Sequence, residues 1–165
     1  MSFKTSRSSR LCGKLLRNRI KINTGLEGFV LIDRITEAEP AKISGIKEFH
    51  GVPAYLGIES LAQLGAYHVR FLTRFERHAF LLKITHCRMP VAQVLDGRHL
   101  LCGTLMSRSD SAFVYTLEAK KEGESLIHGE FLYGTLDYDH NFKKDILQNH
   151  YRKVFSCLLN DLKTD

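Results

Sequence analysis

Apolar and polar positions change their spacing several times along this 165-residue chain, and each change marks an element. "GFVLIDRITEAEP", 28–40, opens as an apolar run, passes into alternation and closes at Pro40, which predicts a strand. "AKISGIKEF", 41–49, predicts a second strand, weakened by Gly45. From Tyr55 to about Phe75 the period lengthens: Leu56, Leu61, Leu64, Ala66, Val69, Leu72 and Phe75 fall on broad apolar faces of a helix. Small residues within it, Ala62, Gly65 and Ala66, let a sheet come close. Such a helix is expected to be enclosed rather than laid on a surface.

Four strand-like segments follow, at 78–90, 97–109 after the Asp96-Gly97 turn signal, 111–121 and 125–138. Their spacing predicts an antiparallel meander. The tail carries Phe142, Ile146, Tyr151, Val154, Phe155, Leu158 and Leu159 at helical spacing and predicts a terminal helix within 139–165. Two strands, a long helix and four strands make an α+β chain. One curved antiparallel sheet wrapped around a single central helix satisfies that order.

Composition changes this picture little. Apolar content of 44% and charged content of 25% are ordinary for a globular domain. No run approaches the ~18 apolar residues of a membrane span, and a cytoplasmic location is expected. Cys12, Cys87, Cys102 and Cys157 are far apart and make no metal-ligand or CxxC spacing, so reduced thiols and no metal are expected. The net charge of +6 belongs to one end: seven of the 24 basic residues precede the first acid, Glu27, leaving 17 basic against 18 acidic residues. Residues 1–24 therefore stand as a basic N-terminal segment, ahead of a domain over 25–138. That segment fits a solvated tail, a targeting peptide or a polyanion-binding arm. A nucleic-acid module would rest on this arm alone and is not expected.

The candidate chemistry sits in "HGVPAYLGIESLAQ", 50–63, where a lone glutamate, Glu59, enters an apolar helix. A carboxylate there either complements the helix dipole or is employed. Gln63, one turn on, shares its face and reaches it or a substrate. Other chemistries lack their signatures: there is no Gly-x-Ser-x-Gly elbow, phosphate-cradling loop or dinucleotide fingerprint. "DYDH", 137–140, lacks the spacing of a cation loop. His68, inside the helix, reads as a satisfied or exposed histidine.

"VPAYLGIESLAQ" resembles the helix start of the hotdog-fold beta-hydroxyacyl carrier-protein dehydratases, and most of all a divergent branch that carries "VPAWVGIEYMAQ". Val52-Pro53-Ala54 stands where the family has a "VMPG" turn, and Gly57, Glu59 and Gln63 take the matching helix positions. "FVLIDRITEAEP" is similar to the family's "LLVDRV…EP" strand. The resemblance spans roughly 28–135 and departs at one point. The family's catalytic histidine lies in "GHFPG", fourteen residues before the carboxylate, where this chain has Gly45. A contracted "EFHGVPA" loop leaves His50 as the nearby imidazole.

The resemblance implies a dimeric hotdog fold that acts on or binds 3-hydroxyacyl thioesters carried on acyl carrier protein or coenzyme A, in fatty-acid or polyene-type lipid synthesis, without a cofactor. Glu59 and His50 would be the catalytic pair, with His50 facing the Glu59 of the other subunit. Gly51, Val52, Pro53, Tyr55, Gly57 and Gln63 would line the substrate, and Arg70, Arg74 and Arg77 would form a cationic stripe for the carrier. A histidine suits removal of the α-proton, a desolvated glutamate the protonation of the leaving hydroxyl, and helix-start amides the developing oxyanion. A hotdog thioesterase, a non-catalytic acyl-binding module and a hetero-dimer with a related hotdog chain stay open beside this reading.

Overall fold

A computed structural model of the chain describes residues 30–91 and 93–160. The basic segment 1–24 lies outside them. Among the described residues six strands and two helices follow in order: β1 (Arg34–Ala38), β2 (Lys42–Pro53), α1 (Tyr55–Leu72), β3 (Arg77–Arg88), β4 (Val94–Arg108), β5 (Ala112–Lys121), β6 (Glu124–Asp137) and α2 (Lys144–Asn160). The strands make one antiparallel sheet in the order β1-β2-β4-β5-β6-β3.

The meander is therefore three strands long, not four. β4, β5 and β6 pair in sequence, whereas β3, among the described strands, bonds only to β6 at the far edge. The reason is the helix: α1 leaves β2 on one side of the sheet, crosses its concave face and delivers the chain to the opposite edge. Strand alternation sends one face of each strand to that helix. Along β5, Phe113, Tyr115, Leu117 and Ala119 are buried, and Val114, Thr116 and Glu118 between them are half-buried.

Small residues set how closely the helix lies. A Cβ on Gly65 would meet the Tyr133 ring, with Cζ at 2.6 Å, and one on Gly57 would meet Leu95 Cδ1 at 2.7 Å. Leu61, Leu64 and Val69 are fully buried in the same core. α2 then covers the far half of α1, where the Phe155 ring packs against Tyr67, Phe71 and Phe75.

Three local expectations are corrected. β2 does not stop at Phe49 but runs on through His50, Gly51, Val52 and Pro53, so "EFHGVPA" is not a contracted loop. A bulge between Phe49 and Val52 absorbs the extra residues, with Gly51 at φ 62° and its N–H donating to Asp96 Oδ1 at 3.0 Å. Asp96-Gly97 is not a turn either; it lies inside β4 opposite that bulge. The helix ends at Leu72, before Phe75. Arg74 and Phe75 have φ of 53° and 61°, and their N–H groups donate to Phe71 O and Arg70 O, closing a Schellman motif with arginine in the position glycine usually takes.

Candidate functional site

Glu59 is the fifth residue of α1, so it lies beyond the first turn, where a helix dipole acts most strongly. Helical spacing puts Tyr55, Glu59, Ala62, Gln63, Ala66 and Arg70 on the face turned away from the sheet. Glu59 is half-buried there. Its Oε1 accepts a hydrogen bond from Gln63 Nε2 at 3.0 Å, and Gln63 Oε1 accepts one from the Leu31 N–H at 2.9 Å. The Leu31 amide thereby fixes the orientation of the glutamine, and the glutamine fixes the carboxyl. The second oxygen, Oε2, has no hydrogen-bond partner among the described residues. One oxygen is held and the other keeps its accepting capacity.

The helix start is open as well. Ala54 occupies the cap position with no side-chain hydrogen bond, and the first turn holds no acid. The Gly57 N–H is used locally, donating to Ala54 O at 3.0 Å; the other amides at a helix start have no i−4 acceptor, so this end keeps donors and partial positive charge for an incoming group. Exposed apolar side chains collect nearby: Tyr55 is 63% exposed and Val94, opposite Pro53 in the β2–β4 ladder, is 57% exposed. Val52 is half-buried, Gly51 and Pro53 are exposed, and Gly57 is buried beneath the helix against Leu95 and Ile127. His50 lies on the β2 bulge and is exposed.

The arginine stripe dissolves. Only Arg70 belongs to α1, and it is buried at 7% exposure, with Nη2 donating to Ala79 O at 2.8 Å and its guanidinium 3.9 Å from the centre of the Tyr151 ring. Arg74 sits exposed in the helix-ending turn. Arg77, half-buried on β3, donates to Asp110 O and approaches Asp137 Oδ1 at 3.3 Å. The helix ends between the first and second of them, which breaks the period that linked all three in the sequence.

His68 is the satisfied histidine of the two readings. Its ring is fully buried, Nε2 lies 2.6 Å from Glu39 O, and Nδ1 lies 2.9 Å from Tyr115 OH. Burial pushes its basicity below the ordinary range, so the ring is neutral, donating to the carbonyl and accepting from the tyrosine. This pair is structural, on the sheet-facing side of α1. Asp139, in the "DYDH" stretch, accepts the N–H groups of Asn141 and Phe142 at 2.8 Å. Among the described residues no group of acids, histidines and cysteines has the makings of a metal site.

Sequence reasoning missed Leu31 and Asp96. The first acts through its backbone amide, which no side-chain pattern reveals; the second reads as a turn former until its partner strand is known.

No family model and no curated protein matches the sequence. Solved structures do. A chain of a dehydratase heterocomplex from Xenorhabdus doucetiae is 12% identical with a TM-score of 0.59, covering 79% of this chain and 93% of that one. A thioesterase from Haemophilus influenzae is 11% identical with a TM-score of 0.58, over 85% and 96% of the two chains. A glutamine-to-alanine variant of a thioesterase from Pseudomonas aeruginosa is 8% identical with a TM-score of 0.57, over 82% and 98%. The chain has the hotdog fold. At such identities the likeness speaks for the fold alone. Within it, Glu59, Gln63 and the uncapped start of α1 are brought together, with His50 on the neighbouring strand end.

Proposed function

We propose that this chain acts on, or binds, 3-hydroxyacyl groups carried as thioesters on acyl carrier protein or coenzyme A, as a dehydratase-like hotdog protein. The observation that carries the reading is the Glu59 carboxyl, anchored through Oε1 by Gln63 and open at Oε2, one turn inside an uncapped helix. In the dehydration step His50 takes the α-proton and the C–O bond breaks. Glu59 in its acid form gives the Oε2 proton to the departing hydroxyl, leaving water and an enoyl thioester. First-turn amides of α1 stabilise the negative charge that gathers on the thioester oxygen. Val52, Pro53, Tyr55 and Gly57 would border the acyl chain, and Gly51 allows its backbone to come close. A lipid-synthesis setting, in fatty-acid or polyene-type assembly, belongs to this reading.

His50 is exposed in a single chain, so a water-free site needs a second subunit. β3 supports a symmetric homodimer: it is a 12-residue edge strand whose outer side pairs with no other strand among the described residues, and Leu81 and Leu82 on it are exposed. Edge-to-edge pairing would bring the His50 of one subunit toward the Glu59 of the other. Pairing with a different hotdog chain is the competing assembly. The carrier contact rests on Arg74 and Arg77, since Arg70 is enclosed.

A thioesterase is the second reading, favoured by the free Oε2, which as a carboxylate oxygen would activate water. One incubation separates them. The full-length chain is mixed with a 3-hydroxyacyl-CoA, and enoyl absorbance and free thiol are followed together. Enoyl product that vanishes in Glu59→Gln supports dehydration, and free thiol without enoyl product replaces it with hydrolysis. Saturable binding without either product, unchanged in Glu59→Gln and His50→Ala, makes the protein an acyl-binding module. Neither turnover nor binding ends the thioester reading.

A further inference from the structure

His50 and Gly51 lie opposite a single residue of the neighbouring strand. In the β2–β4 ladder Phe49 faces Gly97 and Val52 faces Leu95, so both stand across from Asp96 alone. A bulge of this kind leaves a backbone group without a ladder partner. Here the group is the Gly51 N–H, and the Asp96 carboxylate accepts it through Oδ1 at 3.0 Å.

Both strands are shaped for that contact. Gly51 has φ 62° and Gly97, next to Asp96, has φ 78°, angles that suit glycine. Nothing lies within 4 Å of where a Gly51 Cβ would stand, so the backbone angle and not space calls for glycine there. From β5, Lys121 Nζ donates to Asp96 O at 3.0 Å. From the core, His99 is 1% exposed, with Nδ1 at 3.0 Å from Gly97 O and its ring centre 5.1 Å from that of Phe49. Asp96 is therefore held in place from one side and its neighbours from the other.

The Gly51 N–H belongs to the peptide that joins His50 to Gly51. Fixing that N–H fixes the peptide plane, and with it the backbone from which the imidazole springs. Among the described residues the His50 ring makes no hydrogen bond of its own, so its placement comes through the backbone. A base displaced by a fraction of its reach loses rate steeply, whereas an exposed hydrogen bond that water can replace adds little to stability.

We propose that Asp96 is a positioning residue for His50, an inference that rests on the reading of His50 as the base. Its carboxylate clamps the peptide after His50 and sets where the end of β2 presents the imidazole.

Steady-state kinetics with a 3-hydroxyacyl-CoA and amide hydrogen exchange, both on the full-length chain, test it. Asp96→Ala should lower kcat about tenfold with KM unchanged, and exchange at the Gly51 amide should quicken. Asp96→Asn, whose side-chain oxygen still accepts from Gly51, should recover most of both. In a His50→Ala background Asp96→Ala should cost nothing further, because no imidazole remains to be placed. Asp96 is exposed, so both of its variants should keep the parent's denaturant midpoint. An unchanged kcat in Asp96→Ala overturns the proposal, as does a loss that adds to that of His50→Ala or that asparagine fails to recover. A parent without turnover ends the thioester reading instead. Amide exchange then decides alone, and a Gly51 amide no faster in Asp96→Ala than in the parent overturns the clamp.

Discussion

The two ends of α1 are built on opposite principles. At its far end polar groups are sealed: His68 is bonded on both ring nitrogens, Arg70 is roofed by Tyr151, and α2 packs across Tyr67 and Phe71. At its start polar groups are held but not finished: Glu59 has one anchored oxygen and one open, no side chain caps the helix, and Tyr55 stands in solvent. Every bond completed inside the protein stabilises it and removes a group from outside use. The enclosed end should therefore govern stability and the open end binding.

The sharpest break of the far half is steric. Replacing an exposed helix glycine normally gains up to about 1 kcal/mol through propensity. Gly65→Val should do the reverse, because its Cβ would fall on the Tyr133 ring, which cannot retreat while its hydroxyl donates to Ala62 O at 3.0 Å. A loss of about 3 kcal/mol is expected, read from the denaturant midpoint. An unchanged midpoint would mean that the helix does not sit this close to the sheet.

Next comes the polar pair. Tyr115→Phe keeps the ring and removes the donor to His68 Nδ1, leaving a buried nitrogen unpaired. The expected cost is about 1–3 kcal/mol. The same histidine gives the far end a pH dependence. Burial holds its folded-state basicity below the ordinary value of 6.5, so the unfolded chain takes the proton first. Stability should be complete above about pH 6.5 and decline as the pH falls below it. His78, lowered for the same first reason, adds in the same direction. The melting temperature of His68→Gln should fall less steeply from pH 7 to pH 5 than that of the parent; equal slopes would assign the acid sensitivity elsewhere.

Much of this contrast was legible in the residues, and unevenly so. Helix period and strand alternation located α1 and most strand segments to within a few positions, because burial imposes both patterns. Edge placement of β3 was not legible, since alternation states which face a strand buries and not which neighbour it bonds. The end of α1 was hidden because arginine, not glycine, takes the left-handed position after it. Apolar Phe75 continued the helical period across a boundary set by backbone bonds. At the site, Glu59 and Gln63 could be paired from their four-residue spacing. The amide of Leu31 that orients them comes from 32 residues away and carries no side-chain signature. His50 was expected in a loop, whereas pairing with β4 through Asp96 draws it into a bulged strand.

The smallest expected effect on stability is the most telling. Glu59→Gln preserves the size of the side chain and its ability to accept from Gln63, and the position is only half-buried. Its midpoint should lie within about 0.5 kcal/mol of the parent. Under the thioester reading the same change removes the only proton that Oε2 can give or the only charge it can lend to water, so turnover should fall by at least about 100-fold. A residue chosen for the fold would show the opposite split, a stability loss with activity following it. If Glu59→Gln unfolds easily and its remaining folded fraction works normally, the carboxyl belongs with His68 and Tyr115 as architecture, and the two ends of the helix are not different in kind.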